Sequence, residues 1–111
     1  MLITTTDYIP NQEIAAITAT LFSEQVLSIN VVKDLVHGIK GIFGAKMDAY
    51  AKEYRHAREQ ALADLEAQAE KHDADAIINL SLRHDQFVND GLIFVVVTAS
   101  AVAVSLRKPL R

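Results

Sequence analysis

The stretch from Met47 to His72 has the clearest periodic pattern in the chain. It contains no Pro and no Gly, and consists mainly of Ala, Glu, Gln, Lys, Arg and Leu, the residues with the strongest helix propensity. We therefore predict one long helix. Its apolar positions recur at helical spacing and form a stripe made of Tyr50, Tyr54, Ala57, Ala61, Leu65 and Ala69, widened by Leu62. Because small residues fill the middle of this stripe, a neighbouring element can approach it closely.

After this helix, the apolar pattern changes to that of strands. Ala76 to Arg83 alternates apolar and polar residues, which predicts a half-buried strand. Val88 to Gly91 contains the Asp-Gly dipeptide that is typical of hairpin turns. Leu92 to Leu106 predicts a second strand, which is too long for a small sheet unless it bends. We place a bend or bulge at Ala99 to Ala101, where the side chains are small.

This last strand is apolar on both faces. One face consists of Ile93, Val95, Val97, Ala99, Ala101 and Ala103, and the other of Leu92, Phe94, Val96, Val102 and Val104. A single layer of helices covers only one face of a sheet. The second face therefore needs either a second sheet or another subunit, and we favour another subunit.

The first part of the chain predicts two further strands. Leu2 to Thr6 is short and rich in β-branched residues, and a turn at Pro10-Asn11 follows it, which is typical of an edge strand. Glu13 to Phe22 alternates imperfectly but favours a strand because of its Ile and Thr residues. We expect Ser23 to Gln25 to bend this strand before Val26-Leu27 continue it.

A short helix is predicted next. Asn30 is a suitable N-cap residue, and an apolar face with helical spacing follows it, consisting of Val32, Leu35, Val36, Ile39, Ile42 and Phe43. Gly38 and Gly41 lie on another side, where we expect another backbone to approach closely; an anion-binding nest of Gly38, Gly41 and Gly44 is the alternative. Gly44 would end the helix as a C-terminal glycine cap.

Composition limits the class of protein. A length of 111 residues predicts one domain that spans residues 1–111. Half of the residues are hydrophobic, which is rich for a small domain and again favours a partner that covers part of the surface. The absence of cysteine excludes disulfides, thiolate nucleophiles and metal sites built on Cys. The fold class that we predict is α+β, a small antiparallel sheet with one short and one long helix.

Charge and hydropathy bear on partners and location. The net charge is −3 with both signs interspersed, so we expect no nucleic-acid partner. The apolar run Leu92 to Leu106 is shorter than the roughly 20 residues of a membrane-spanning helix, and no basic segment precedes an apolar one near the N-terminus. We expect a cytoplasmic protein without a membrane partner, with residues 107–111 as a solvated basic tail.

Three groups of residues together resemble the YbjQ-like family. The run Asn30-Val-Val-Lys-Asp34-Leu-Val-His-Gly38-Ile39-Lys-Gly-Ile42-Phe-Gly44 is similar to that family's Asn-Ile-x-Arg-Asp-x-x-x-Gly-Ile-x-x-Ile-x-Gly-Gly signature. Tyr50 and Ala57-Arg58-Glu59 with Ala61 resemble its Tyr-x-x-x-x-x-x-Ala-Arg-x-x-Ala helix. Ala74 to Ile78 resembles its Ala-Asp-Ala-Val-Val strand start. The likeness extends from about Ile3 to Val104.

The resemblance implies a dodecin-like subunit with a β-α-β-β core and a homopentameric ring. It also implies a role described as heavy-metal binding. The chain departs from the family pattern at Ala45, Asp73 and Asn79, where the family has glycines, and at Arg83-His84-Asp85, where the family has an acidic strand end with a tyrosine. These departures concern the inherited ligand site rather than the fold.

The sequence contains one weak candidate for a metal site. Soft metals prefer sulfur ligands, and the chain has only two Met and no Cys. His84, Asp85 and Asp90 could converge around the hairpin and hold zinc or a harder divalent ion, the one cofactor that the sequence leaves open. Hairpin turns also collect Asp for backbone reasons, so these residues could equally be solvated turn residues. A ring could also assemble one His from each subunit.

The sequence provides little support for catalysis. It has no Gly-x-Ser-x-Gly, no Gly-rich phosphate loop and no Cys/His pair. Glu53, Arg58 and Glu59 lie within reach of one another on the long helix, but an ion pair there is more often structural than catalytic. We therefore name no catalytic residue and favour a self-associating module that binds a metal or small ligand. An enzyme whose active site is assembled between subunits is the alternative.

Overall fold

The computed structural model describes residues 1–30 and 43–108. In this part of the chain the elements are, in order, β1 (Leu2–Ile3), β2 (Ile14–Asn30), α1 (Phe43–Lys71), β3 (Ala76–Asn89) and β4 (Leu92–Leu106). The α+β class is confirmed. The short helix predicted after Asn30, with Gly38 and Gly41, lies outside the described residues.

The four strands form one sheet in the order β1-β3-β4-β2. The pairs β3–β4 and β4–β2 are antiparallel, as predicted, whereas β1 pairs with β3 in parallel. The sheet is therefore mixed and not purely antiparallel. β1 is an edge strand, as expected, although it is shorter than the predicted Leu2 to Thr6. The turn at Pro10-Asn11 is confirmed, because the amide of Gln12 donates to the carbonyl of Ile9 over 3.1 Å.

The long helix is confirmed, but it begins four residues earlier than predicted. Phe43 and Gly44 belong to it, so Gly44 does not end a helix and its interpretation as a C-terminal cap is wrong. At the other end, the amide of Ala74 donates to the carbonyl of Ala69 and the amide of Asp73 to that of Glu70. With Asp73 at φ 55°, this is a Schellman motif in which Asp takes the usual place of Gly.

The predicted stripe of the helix is its buried face. Ala57, Ala61, Leu65 and Ala69 are fully or almost fully buried, and Tyr54 and Leu62 are half-buried. All of these except Leu62 pack against the face of β4 that carries Val95, Val97, Ala99, Ala101 and Ala103, together with Leu21 and Ile77. The alanines bring the helix close to the sheet, and Leu65 is the large side chain that fills the space between them. This face of the sheet is the helix-covered face.

The bulges of the sheet do not lie where the sequence placed them. β2 is one continuous strand through Ser23 to Gln25, and its irregularities lie between Ile14 and Ala16 and between Ile17 and Ala19. β4 is also continuous; opposite its Ala101, the extra residue belongs to β3, between Ile78 and Ser81. The position along the sheet was therefore right for β4, but the strand was wrong. Side-chain size shows where a sheet bends and does not show which partner carries the additional residue.

The opposite face of the sheet is partly covered by the chain itself. Ile9 is buried there in a cluster with Ala76, Ile78 and Val104. The N-terminal segment thus covers one end of this face, so the predicted cover by a second sheet or another subunit concerns only the remainder. The rest stays exposed: Phe22, Val26 and Phe87 are 56%, 63% and 52% exposed. We call this exposed part the open face.

The molecule is elongated, measuring 66 × 25 × 18 Å. Its radius of gyration is 18.6 Å, whereas a compact domain of this length has about 13 Å. The shape follows from the lengths of the elements: the helix and the strands β2, β3 and β4 have 14 to 29 residues each and lie in only two layers. Within the described ranges, no helix is both long and apolar enough to span a bilayer.

Candidate functional site: the open face of the sheet

Four rows of side chains make up the open face, each running across β2, β4 and β3. Residues paired across neighbouring strands lie side by side on the same face. The registers give the rows Glu24–Thr98–Arg83, Val26–Val96–Asp85 and Ser28–Phe94–Phe87. Phe22, Ser100 and Ser81 form a further row towards the end that Ile9 covers. The face is thus apolar towards the hairpin and polar in the middle.

Stacked aromatic rings form the apolar end. The rings of Phe87 and Phe94 have centroids 5.0 Å apart and planes inclined by 14°. Val96 lies beside them and Val26 lies at the edge strand. Phe87 is exposed, whereas Phe94 and Val96 are half-buried. Contiguous apolar surface of this kind marks sites of interaction more often than isolated exposed side chains do.

The charged groups of the open face are weakly engaged. An Nη atom of Arg83 lies 3.5 Å from Oδ1 of Asp85, and both side chains are largely exposed. Such a surface pair stabilises a fold by about 0–1 kcal/mol. No ion pair of Glu24 occurs within the described part of the chain. These charges are therefore available to a partner at small energetic cost.

The three residues predicted as metal ligands do not come together in one chain. His84 and Asp85 are consecutive in β3, so their side chains lie on opposite faces of the sheet. His84 is on the helix-covered face, with its ring centroid 5.7 Å from that of Tyr54, and Asp85 is on the open face. Asp90 lies in the turn, about 16 Å from Asp85 at 3.3 Å per residue. Among residues 1–30 and 43–108, no three His, Asp or Glu side chains are grouped as a metal site requires.

Asp90 has a structural function that the Asp-Gly dipeptide indicated. It adopts φ 51°, and Gly91 adopts φ 77°. Positive φ at both central residues is the geometry of a type I′ hairpin turn, and Asn89 pairs with Leu92 on either side of it. The hairpin prediction is confirmed, and Asp90 is used by the turn whether or not it binds an ion.

The acidic and basic residues of the helix do not form a site in the described chain. Glu53, Arg58 and Glu59 are all exposed, and none of the ion pairs within the described ranges involves them. The first residue of the basic tail does have a partner: Arg107 contacts both carboxylate oxygens of Glu13 at 3.1 Å. Arg107 is therefore held against Glu13 beside the sheet and does not belong to a solvated tail.

Comparison with known proteins identifies the family. The model of a family described as "Putative heavy-metal-binding", the YbjQ family, matches residues 1–106. The chain belongs to the YbjQ family. UPF0145 proteins of Actinobacillus pleuropneumoniae and Pasteurella multocida are each 32% identical to it, over 94% and 96% of this chain and 99% and 100% of their own length.

A solved structure agrees with the fold. A DUF74-family protein of unknown function from Pediococcus pentosaceus superimposes with a TM-score of 0.73 and 19% sequence identity. The match covers 96% of this chain and 98% of that protein. At this level of identity, the likeness extends to the fold alone. The family description names a class of ligand and no reaction.

The YbjQ pattern explains two residues that depart from it. Asp73 and Asn79, which depart from the glycines that the resemblance implies, both have positive φ, 55° and 54°. Asp and Asn tolerate this region better than other non-glycine residues. Asn79 lies in the bulge of β3, where its amide donates to the carbonyl of Thr6 over 2.9 Å. Both residues therefore adopt a backbone conformation that glycine adopts with less strain.

Sequence reasoning missed the function of Asp75 within the YbjQ strand start. Its carboxylate oxygen Oδ2 accepts a hydrogen bond from the amide of Leu106 over 2.8 Å, and its own amide donates to the carbonyl of Val104 over 2.8 Å. Asp75 thus joins the start of β3 to the end of β4. The resemblance contained the signal, the Asp of the Ala-Asp-Ala-Val-Val strand start, and the contact with Leu106 gives that Asp a structural role in this chain.

Proposed function

We propose that the protein is a self-associating module, a homopentamer as the family resemblance implies, that binds a metal ion or small ligand where subunits meet and performs no catalysis of its own. The observation that carries this proposal is the open face. Half of one sheet face has no cover within the described chain, although it contains stacked aromatic rings and β-branched side chains.

Energetics support self-association. Each large apolar side chain gains about 1.5–3 kcal/mol when it is fully removed from water. Phe87, Val26 and Phe22 are more than half exposed in the single chain. Burying them between subunits would therefore stabilise the assembly by a large part of that free energy. The elongated shape supports the same interpretation, because it presents more surface than a compact domain does.

The ligand proposal follows from the types of donor in the chain. Without cysteine, soft metals lose their preferred ligands. His84 and Asp85 offer nitrogen and oxygen, which suit zinc, nickel or a harder divalent ion. Since one chain does not group three such donors in its described part, a metal site would take ligands from two or more subunits.

Light scattering coupled to size-exclusion chromatography tests the assembly. We expect a mass near five times that of one chain at micromolar concentration. Val26→Glu should reduce this mass because it places a charge on the open face, whereas Tyr8→Glu, which changes an exposed residue of the N-terminal segment, should leave it unchanged. A monomeric wild-type protein would refute the proposal.

Calorimetric titration tests the ligand. Zinc, copper, nickel and cadmium are each titrated into the assembled protein, and binding of at least one is expected at a ratio of one ion or less per subunit. His84→Ala should abolish the heat, with His56→Ala as the control from the exposed side of the helix. The absence of heat with all four ions would remove these metals from the proposal and leave a harder divalent ion or a small ligand.

A further inference from the structure

One edge of the sheet is open along the second half of β2. The side chain of Gln68 reaches this edge, where its Nε2 donates to the carbonyl of Phe22 over 2.7 Å. Peptide groups alternate in direction along a strand, so those of Glu24, Val26 and Ser28 also point away from β4. They have no backbone partner within the described part of the chain.

The opposite edge is open along the second half of β3. The N-terminal segment occupies the first half: β1 pairs with Ala76 and Ile77, and the carbonyl of Thr4 accepts from the amide of Leu80 over 3.1 Å. By the same alternation, the peptide groups of Leu82, His84 and Gln86 point outwards. They too lack a backbone partner among residues 1–30 and 43–108.

These two open edges match in level and direction. Glu24 and Arg83 both pair with Thr98, so the part of β2 beyond Phe22 lies level with the free part of β3. β2 and β3 are each antiparallel to β4 and therefore run in the same direction. A copy placed beside the first in the same orientation would set β2 against β3 in parallel, which is the sense in which β3 already accepts β1.

The pattern of peptide directions permits this pairing. In a parallel pair of strands, consider a residue whose N–H and C=O point at the partner strand. It bonds to the two residues that flank the residue directly opposite it on that strand. Glu24 points outwards, and Arg83, which bonds towards β4, is flanked by the outward-pointing Leu82 and His84. Glu24 can therefore lie opposite Arg83 of the next copy with both side chains on the open face, where their opposite charges attract.

We propose that β2 of one copy pairs in parallel with the second half of β3 of the next, with Glu24 opposite Arg83. This inference rests on the proposed self-association and specifies its partner surface. The two edges are different surfaces, so the interface is heterologous, and a heterologous interface closes into a ring when its rotation permits. Along the rows from Glu24 onwards, the sheets of neighbouring subunits then become one continuous sheet and their open faces become contiguous. Towards Ile14 the two sheets must diverge, because β1 and Thr4 of the next copy occupy the edge of β3 there.

Cysteine cross-linking tests the pairing, because the native chain has no cysteine. The variants Glu24→Cys and Arg83→Cys are co-expressed with tags of different size and oxidised. Within one chain these positions are separated by β4, about 9–10 Å apart, which exceeds the roughly 7 Å limit between Cα atoms of a disulfide. Any disulfide between them must therefore join two chains.

We expect a heterotypic disulfide dimer from the mixture and no cross-link from either variant alone. Thr98→Cys with Arg83→Cys is the matched control: it occupies the same row on the internal strand β4 and should give no dimer between chains. The double variant Glu24→Cys/Arg83→Cys should give a ladder that ends at the number of subunits in the ring.

Three outcomes of the cross-linking and the light scattering would overturn the inference. Cross-linking of Glu24→Cys with itself would indicate two-fold pairing of β2 with β2. A wild-type assembly without the heterotypic dimer would refute the edge pairing and leave self-association standing, whereas a monomer by light scattering would refute self-association itself.

Charge exchange adds a second measurement: Glu24→Arg or Arg83→Glu alone should weaken assembly about twofold to fivefold, and the two together should restore it. Failure of the double exchange to restore assembly would refute the register.

Discussion

Leu65 is the side chain on which the packing of helix against sheet depends most. It is 0% exposed and belongs to a cluster made largely of alanines, namely Ala61, Ala69, Ala99, Ala101 and Ala103, with Leu21 and Ile77. In Leu65→Ala, these alanines cannot extend into the space that the leucine leaves, and the backbones on both sides belong to regular elements. The void should therefore collapse little, which places the cost in the upper part of the 2–5 kcal/mol range for such substitutions, about 3–4 kcal/mol.

Urea unfolding followed by circular dichroism measures this cost. A domain of this length has a total stability of about 5–15 kcal/mol, and urea m-values are about 1–3 kcal/mol per molar, so the midpoint should fall by one molar or more. All proteins must be compared at one concentration, because assembly adds to apparent stability.

Leu62→Ala is the matched control for this measurement. It removes the same atoms from a half-buried position on the same helix, and should cost about 1 kcal/mol. Equal shifts for Leu62→Ala and Leu65→Ala would refute the view that the alanine-lined space around Leu65 is rigid.

Two further substitutions test the backbone features. Asp73→Gly should raise the free energy of unfolding by about 0.5–1 kcal/mol, because it relieves positive φ at the helix end; Asp73→Val should lower it, and the reverse order would contradict the Schellman assignment. Asp75→Ala should cost about 1–2 kcal/mol, because it leaves the amide of Leu106 without its acceptor. Glu13→Ala, which removes the exposed partner of Arg107, should cost under about 0.5 kcal/mol and serves as its control; similar losses in both would show that the Asp75 contact has no special weight.

Local periodicity explains which elements could be predicted. The long helix and the hairpin around Asp90-Gly91 follow from signals within a few residues of each other, and the bounds of β4 agree with the predicted Leu92 to Leu106. The bulge at Asn79 depends on how β3 aligns with β4 and with the N-terminal segment. That alignment relates segments that are far apart in the chain. The local pattern of a single sequence does not determine it. The same reason explains why Ile9 was not recognised as a core residue.

The candidate metal residues failed to converge for a simple geometric reason. Adjacency in sequence suggests proximity, yet in a strand it places His84 and Asp85 on opposite faces. The prediction treated the end of β3 as a loop, where neighbouring side chains can turn to one point. Because the strand continues to Asn89, such a convergence within one chain is excluded for this pair. A site that uses either residue must therefore take its remaining ligands from elsewhere, and the two faces would serve different sites.

Within the described part of the chain, the apolar surface of β4 that lacks cover is confined to one half of the sheet. The N-terminal segment covers the other half in two ways, since Ile9 packs on the face and Leu2–Ile3 pair with the edge of β3. Both kinds of cover end at about the same level, just before the row of Glu24 and Arg83. Beyond that level, the face and the edge of β3 become free together, and the outer edge of β2 has no strand partner there either in the described residues. A partner that satisfied only the face would leave the strand edges unpaired, with the risk of aggregation that open edges bring. A second copy of the same sheet, added edge to edge, satisfies the edges first and extends the face. Self-pairing through β2 and β3 therefore accounts for more of the unpartnered surface than a ligand or an unrelated protein resting on the open face alone.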